Sequence, residues 1–332
     1  MALRGLGINY DTGFFPGGKI SRQHFDRDIV RHELHVIRHD LHCAAVRISG
    51  GDPERLSAAA ELAAAEGLEV WFAPFPCELT TDELRPFFVD CADRAEAVRT
   101  VATAPVVLVL GCELSLFGAG FLPGNTVFQR IDGLMRGSAG SVRSAAGQLD
   151  EFFADVVTQA RTRFHGPITY ASGTWEFIDW TPFDIVAIDA YRDANTAGTY
   201  AQELRAQVER TDKPVVVTEF GCCTYVGAAD RGGIGWDIVD DTSTSPARIP
   251  GDYQRDESEQ VRYLHECLNV FDEVGVDSAF WFTFASFDAL HREDPHQDLD
   301  LASYGVVKMI GESAWQPKES FSALAEAYRR RG

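Results

Sequence analysis

The segment Val106–Glu113 reads VVLVLGCE, and the segment Pro214–Gly221 reads PVVVTEFG. Each contains a run of apolar, largely β-branched residues that leads to a glutamate. A strand with one wet face alternates apolar and polar residues, whereas a parallel strand covered on both faces is apolar nearly throughout. The two segments therefore predict buried parallel strands, each with an acid at its carboxyl end.

Similar apolar runs recur along the whole chain and alternate with helical patterns. The eight predicted strands are Leu6–Tyr10, Ala44–Ile48, Glu69–Phe75, Val106–Leu110, Ile168–Ser172, Ile185–Tyr191, Val215–Phe220 and Ala279–Phe284. Helical patterns lie at about 25–42, 54–66, 82–102, 143–164, 197–210, 256–274 and 319–331. Eight strands in this alternation predict a (β/α)8 (TIM) barrel.

The connections between these elements have unequal lengths. Those that follow strands four, seven and eight are long, at about 115–142, 222–255 and 285–318, whereas the returns into the strands are short. We expect the Gly- and Ser-rich piece Gly133–Gly147 to be a loop or lid. Because the loops after the strands form the active-site face of a barrel, the pattern predicts a substrate-binding barrel. No Pro- or Ser-rich linker divides the 332 residues, so we predict one domain, 1–332.

Charge and composition limit the partners and the compartment. The chain has 30 Lys+Arg against 50 Asp+Glu, a formal net charge of −20, which disfavours nucleic acid and anionic membrane surfaces. Met1–Tyr10 lacks the apolar core of a secretory signal, and no apolar stretch is long enough to span a bilayer. With seven Cys and no Cys-x-x-Cys pair, we expect free thiols and a cytoplasmic protein.

Two carboxylates stand out by position. Glu113 follows the fourth predicted strand and Glu219 lies at the end of the seventh. Burying a glutamate at the end of an apolar strand costs several kcal/mol unless the acid is paired or used, and one such acid alone could be structural. Two acids at one barrel mouth suit glycosidic-bond cleavage, in which one carboxylate attacks and one carboxyl protonates the leaving oxygen.

These strand ends resemble clan A, the 4/7 superfamily of retaining glycoside hydrolases with (β/α)8 barrels. In that clan the acid/base glutamate follows strand four and the nucleophile follows strand seven. The resemblance implies that Glu113 is the acid/base and Glu219 the nucleophile, and Thr218–Gly221 (TEFG) closely matches the strand-seven signature. It implies no cofactor and no metal.

The resemblance extends to three further positions and fails at one. It implies that Arg47 supports the nucleophile, that the Tyr191 hydroxyl contacts it, and that Trp281 forms the floor of the sugar site. Where the clan has an asparagine that binds the sugar 2-hydroxyl, this chain has Cys112. Since a thiol is a poor donor and a weak acceptor, either other groups bind at the 2-position or the substrate is not an ordinary sugar there.

Several other side chains in the predicted loops are candidates for substrate contact. Sugar rings present apolar C–H faces that stack on aromatic rings, which makes Trp175 and Trp236 candidates. Glu176 is a weaker polar candidate and a reserve acid. The histidines His32, His35, His39 and His42 lie on the helical face opposite an apolar stripe, so we expect a solvent-exposed row rather than a metal site.

The leading hypothesis is a retaining glycoside hydrolase that cleaves a small intracellular, β-linked glycoside or disaccharide. One alternative is a glycosidase-like barrel that has lost hydrolysis and binds a small molecule or serves another pathway. The chain also looks similar to bacterial chains labelled as abortive phage infection proteins, a label that names no mechanism. A third possibility is a hydrolase or lyase that uses the same acids on a non-sugar. The sugar, linkage, aglycone and oligomeric state stay open at this point.

Overall fold

Eight parallel strands form one closed barrel in the order of the sequence. The computed structural model describes residues 3–137, 139–240 and 246–331. The closed order of these eight parallel strands confirms the predicted (β/α)8 barrel. The strands are β1 (Gly5–Asp11), β2 (Ala45–Gly50), β3 (Glu69–Pro74), β4 (Val106–Cys112), β5 (Ile168–Gly173), β6 (Val186–Asp189), β7 (Val215–Phe220) and β8 (Ser278–Trp281).

Every residue of the eight barrel strands is buried, as the apolar runs of the sequence predict. Two strands end two or more residues earlier than predicted. β6 ends at Asp189 rather than Tyr191, and β8 ends at Trp281 rather than Phe284. Apolar and aromatic residues continue past both ends, so hydrophobicity alone does not mark where the ladder stops.

Nine helices are described around the strands in residues 3–137, 139–240 and 246–331. They are α1 (Arg27–His39), α2 (Pro53–Ala65), α3 (Thr81–Val101), α4 (Leu114–Phe117), α5 (Val127–Met135), α6 (Ala139–Arg161), α7 (Tyr200–Glu209), α8 (Ser258–Val274) and α9 (Glu319–Arg331). A small antiparallel pair, β9 (Val307–Met309) and β10 (Trp315–Pro317), lies in the long connection after β8. Among the described residues, none of the helices has the length and apolar character that crossing a membrane requires.

The prediction for Gly133–Gly147 is wrong, because most of this piece is helical. α5 continues to Met135 and α6 begins at Ala139. In α6, Ala145, Leu149 and Phe152 are buried. Burial of this apolar face outweighs the weak helix propensity of Gly and Ser at the start of the helix.

The chain forms two compact units by internal contacts. The first comprises Met1–Asp11, His32–Ala45 and Ala190–Gly332, and the second comprises Thr12–Arg31 and Val46–Asp189. In the second unit, Asp52 caps α2 by accepting hydrogen bonds from the backbone N–H groups of the first turn. The predicted exposure of His32, His35, His39 and His42, in the first unit, is confirmed.

A buried ion network fixes the long loops of the first unit. Arg255, in the loop after β7, contacts Asp298 at 2.7 Å and Asp300 at 3.0 Å, both in the loop after β8. The Nζ atom of Lys318, just past β10, lies 3.0 Å from Asp300, and both residues are almost fully buried. His291 joins the network through Asp298 at 3.0 Å. These loops are therefore pinned by charge pairs as well as by apolar packing.

Candidate active site

The carboxyl end of β4 carries a one-residue β-bulge. Val109 pairs with Thr169 but Cys112 pairs with Ala171, so β4 has one more residue than β5 in this interval. Gly111 in the bulge has a φ of 91°, and a Cβ atom there would lie 3.0 Å from the Leu114 side chain. Only glycine fits both conditions without strain. Bulges change the direction of the side chains that follow them and are common next to active sites.

Glu113 comes directly after this bulge in a left-handed conformation. Its φ is 43° and its ψ is 46°, and it lies at the start of the one-turn helix α4. The side chain is half-buried, and the backbone N–H donates to the Ala171 carbonyl at 2.9 Å. The left-handed region costs a residue other than glycine about 1–2 kcal/mol, so surrounding contacts have to hold it.

Those contacts come from β5 and the loop that follows it. The Tyr170 hydroxyl accepts from the Leu114 N–H at 2.6 Å and donates to Glu176 Oε2 at 2.8 Å. Glu176 also accepts from the N–H groups of Ser115 at 3.0 Å and Gly173 at 3.1 Å. Burial raises the pKa of Glu176, and these hydrogen bonds oppose that rise. The carboxylate predicted as a reserve acid is thus bonded on both oxygens to the turn beside Glu113.

Cys112, the last residue of β4, contacts a buried acid that the sequence analysis did not select. The Cys112 thiol lies 3.3 Å from Oδ2 of Asp189, and both residues are buried. Asp189 is the last residue of β6. In the sequence it lies inside the predicted strand six and not at its end, so the rule that an acid ends an apolar run does not select it. A carboxylate inside an otherwise apolar run is the signal that could have found it. Arg47, also in this unit, lies on β2 and is only 1% exposed.

In the first unit, β7 carries a bulge of the same kind. Val217 pairs with Ala279 but Phe220 pairs with Trp281, which places one extra residue in β7 at Thr218–Glu219. By contrast, the pairing of β1 with β8, β3 with β4 and β5 with β6 is regular. Glu219 is 7% exposed. The bulge therefore changes the direction of the second candidate acid, as it does for the first.

Tyr191 lies beside Glu219, as the resemblance implies. Its hydroxyl donates to Glu219 Oε2 at 2.8 Å. A hydrogen bond to a carboxylate is stronger than one between neutral groups and fixes the orientation of the acid. The backbone carbonyl of Glu219 also accepts from the Ala190 N–H at 2.9 Å, so strand ladder and side chain both hold this residue.

The Tyr191 ring is supported by two other aromatic rings. The centroid of Tyr304 lies 5.9 Å away and that of Phe282 lies 6.4 Å away, both edge-to-face. The buried Tyr304 hydroxyl donates to the Gly232 carbonyl at 2.6 Å and accepts from the Gly235 N–H at 2.9 Å. Tyr304 therefore fixes the loop after β7 and supports Tyr191 at the same time.

Trp281 does not form the floor of a sugar site, and this prediction is wrong. The side chain is fully buried, its indole N–H donates to the Tyr304 carbonyl at 3.1 Å, and its ring packs against Phe220. The next residue, Phe282, is half-buried beside Tyr191. Successive side chains of a strand point to opposite faces. The prediction is therefore off by one residue: the Trp281 ring is packed in the core, and the Phe282 ring is the accessible one.

The other two predicted tryptophans lie in separate units. Trp175 is half-buried in the second unit and donates from Nε1 to the Ser115 hydroxyl at 3.2 Å, next to the Glu113 turn. Trp236 in the first unit is 37% exposed and follows the turn that Tyr304 holds. Both remain available for contact with a ligand.

Comparison with solved structures finds chains that have the same fold. The chain is similar to a GH113 beta-1,4-mannanase, with a TM-score of 0.63, 14% identity and 99% of each chain covered. The GH113 beta-mannanase of Alicyclobacillus acidocaldarius gives 0.64 and 15%, covering 100% of this chain and 98% of that one. A fungal beta-1,4-galactanase gives 0.54 and 15%, covering 98% and 100%. The chain has the fold of these glycoside hydrolases.

Comparison by sequence gives no such match. No family model and no curated protein matches the chain. The resemblance to abortive phage infection proteins receives no support from these comparisons. At the identities given above, the shared scaffold establishes the fold, and the chemistry has to be inferred from the residues.

Proposed function

We propose that the protein is a retaining glycoside hydrolase with Glu219 as nucleophile and Glu113 as acid/base. One observation carries the proposal: β4 and β7 each have a bulge at the carboxyl end, and each bulge redirects a glutamate. In a parallel barrel the carboxyl ends of the strands open on the face where active sites lie. Strand packing alone does not require a bulge at an acid on two different strands.

The proposed reaction has two displacements. Glu219 attacks the anomeric carbon while the Glu113 carboxyl gives its proton to the leaving oxygen, so the glycosidic bond breaks as a glycosyl–enzyme ester forms. Glu113, now a carboxylate, then takes a proton from water, which attacks the same carbon and releases Glu219. The anomeric configuration is retained because it is inverted twice. Tyr191 holds Glu219 in place through its 2.8 Å hydrogen bond.

The solved structures support a β-linked substrate. Of the three structures described above, two are named as beta-1,4-mannanases or beta-mannanases and one as a beta-1,4-galactanase. The small size of the substrate, the cytoplasmic location and the support of Glu219 by Arg47 are predictions from the sequence. We propose Phe282, rather than Trp281, as the aromatic contact of the sugar beside Tyr191.

Hydrolysis can be tested with a panel of aryl β-glycosides that covers mannosides, glucosides, galactosides and glucuronides. We expect Glu113→Gln and Glu219→Gln each to lower hydrolysis by orders of magnitude. Glu69→Gln is the matched control, since Glu69 is a buried acid at the amino end of β3 that accepts from the Trp71 indole at 2.9 Å. It should keep the activity of the unchanged protein.

The nucleophile can be identified by mass spectrometry. A 2-deoxy-2-fluoro glycoside of the preferred sugar should leave a covalent adduct on Glu219, and NMR of the first product should show retention. An inverted product, or full activity in both glutamine variants, would refute the proposal.

A binding barrel without hydrolysis is the second candidate, and the contact between Cys112 and Asp189 favours it. In this chain a thiol bonded to a carboxylate takes the place of the asparagine amide that clan A enzymes use at the sugar 2-position. Sugar binding by calorimetry without cleavage of any glycoside in the panel would support this candidate over the first.

A further inference from the structure

The turn at Glu113 has an acceptor for every backbone N–H from Glu113 to Phe117. The N–H of Glu113 donates to the Ala171 carbonyl at 2.9 Å, and those of Leu116 and Phe117 donate to the Glu113 carbonyl at 2.8 and 3.0 Å. The two between them, on Leu114 and Ser115, have side-chain acceptors. These are the Tyr170 hydroxyl and the Glu176 carboxylate described above.

The acceptors are themselves tied to β5. Tyr170 belongs to β5 and is fully buried, and Glu176 accepts from the N–H of Gly173, the last residue of β5, at 3.1 Å. The Tyr170 hydroxyl joins the two by donating to Glu176 at 2.8 Å. The left-handed residue Glu113 is therefore connected to the neighbouring strand by a continuous set of hydrogen bonds.

We propose that Tyr170 and Glu176 are positioning residues for the acid/base Glu113. They hold the turn in the left-handed conformation and thereby fix where the Glu113 carboxyl lies. The proposal rests on the proposed function, because it assigns Glu113 the proton transfers of that reaction. It also explains why Glu176 is not a second acid: three donors, on Ser115, Gly173 and Tyr170, occupy its two oxygens.

Misplacing a general acid has a specific kinetic signature. A leaving group of high pKa departs only with a proton from Glu113, whereas a dinitrophenolate departs without one. Damage to the position of Glu113 therefore slows cleavage of a phenyl glycoside much more than cleavage of the dinitrophenyl glycoside of the same sugar. A variant that is only less stable loses activity on both substrates by the same factor.

The experiment compares Glu176→Gln and Tyr170→Phe on these two substrates, at a temperature where both variants are folded. Glutamine keeps the shape of Glu176 but places an amide NH2 where two acceptor oxygens are needed. General acid catalysis contributes about 100- to 10,000-fold, so we expect the phenyl glycoside to lose about tenfold or more in kcat/KM. The dinitrophenyl glycoside should lose about twofold or less in kcat/KM, because its leaving group departs without a proton.

Glu33→Gln is the matched control, because Glu33 is a buried carboxyl that accepts from the Tyr10 hydroxyl at 2.5 Å in the other unit. It should change both substrates equally. Equal losses on both substrates in Glu176→Gln and Tyr170→Phe would overturn the proposal.

Crystal structures of the same variants separate this proposal from the proposed function. If the unchanged protein cleaves no glycoside, the proposed function fails, and the backbone of Glu113 then decides the positioning role. We expect φ of Glu113 to leave the left-handed region in both variants. A φ that stays near 43° in both would overturn the positioning role whatever the activity.

Discussion

Tyr304→Phe should lower the free energy of unfolding of the first unit, and the size of the loss follows from the hydrogen bonds that the hydroxyl makes. The hydroxyl donates to the Gly232 carbonyl at 2.6 Å and accepts from the Gly235 N–H at 2.9 Å, and both bonds are buried. Burial raises the pKa of Tyr304 well above its usual value, so the hydroxyl keeps its proton at ordinary pH. Two buried bonds at about 1–1.5 kcal/mol each give a loss of about 2–3 kcal/mol.

Tyr328→Phe is the matched control for this variant. Tyr328 is equally buried but has a single described hydrogen bond, from its hydroxyl to the Gly7 carbonyl at 2.8 Å, so it should lose about 1 kcal/mol. Urea unfolding followed by tryptophan fluorescence measures both losses, provided that the m value is unchanged. If Tyr304→Phe costs no more than Tyr328→Phe, the role of Tyr304 in holding the loop after β7 is wrong.

The remaining predictions concern single contacts. Tyr191→Phe removes the hydroxyl that donates to Glu219 at 2.8 Å. A bond to a charged group is worth about 1.5–3 kcal/mol, so we expect kcat/KM for an aryl glycoside to fall by about 10- to 150-fold. Phe282→Ala should raise KM for glycosides, and an unchanged KM would exclude this ring as a sugar contact. Lys318→Met leaves Asp300 buried without one of its two cations and should lower the free energy of unfolding by about 3–5 kcal/mol in urea.

The fold could be predicted because it depends on a property that the sequence displays directly. Strands covered on both faces are apolar at most positions, and every residue of β4 and β7, two strands of the barrel wall, is buried. The helix propensity of individual residues was less informative where the burial of one helix face determines the structure. The start of α6 is rich in Gly and Ser, yet it is helical because Leu149 and Phe152 bury one face of it.

Residues of the candidate site could be predicted only where the position of a single residue in the sequence indicates its role. Glu113 and Glu219 each come at the end of an apolar run, whereas Asp189 lies inside one and was not selected. The roles of Tyr170 and Glu176 depend on contacts between residues about 60 positions apart, and no pattern within one segment records them. The choice of Trp281 failed because strand periodicity gives two faces, and the sequence does not say which face the last residue adopts.

The two glutamates share a solution to one geometric problem. A regular barrel strand alternates between the packed interior and the helix layer, and neither environment suits a charged group that has to meet a ligand. One inserted residue breaks the alternation, and a glycine next to it allows the required backbone path. Gly111 lies two residues before Glu113, and Gly221 lies two residues after Glu219, where a Cβ atom would lie 2.6 Å from the Phe282 carbonyl. The glycines in GCE and TEFG are therefore as much part of the proposed site as the acids, since they allow the backbone to present them.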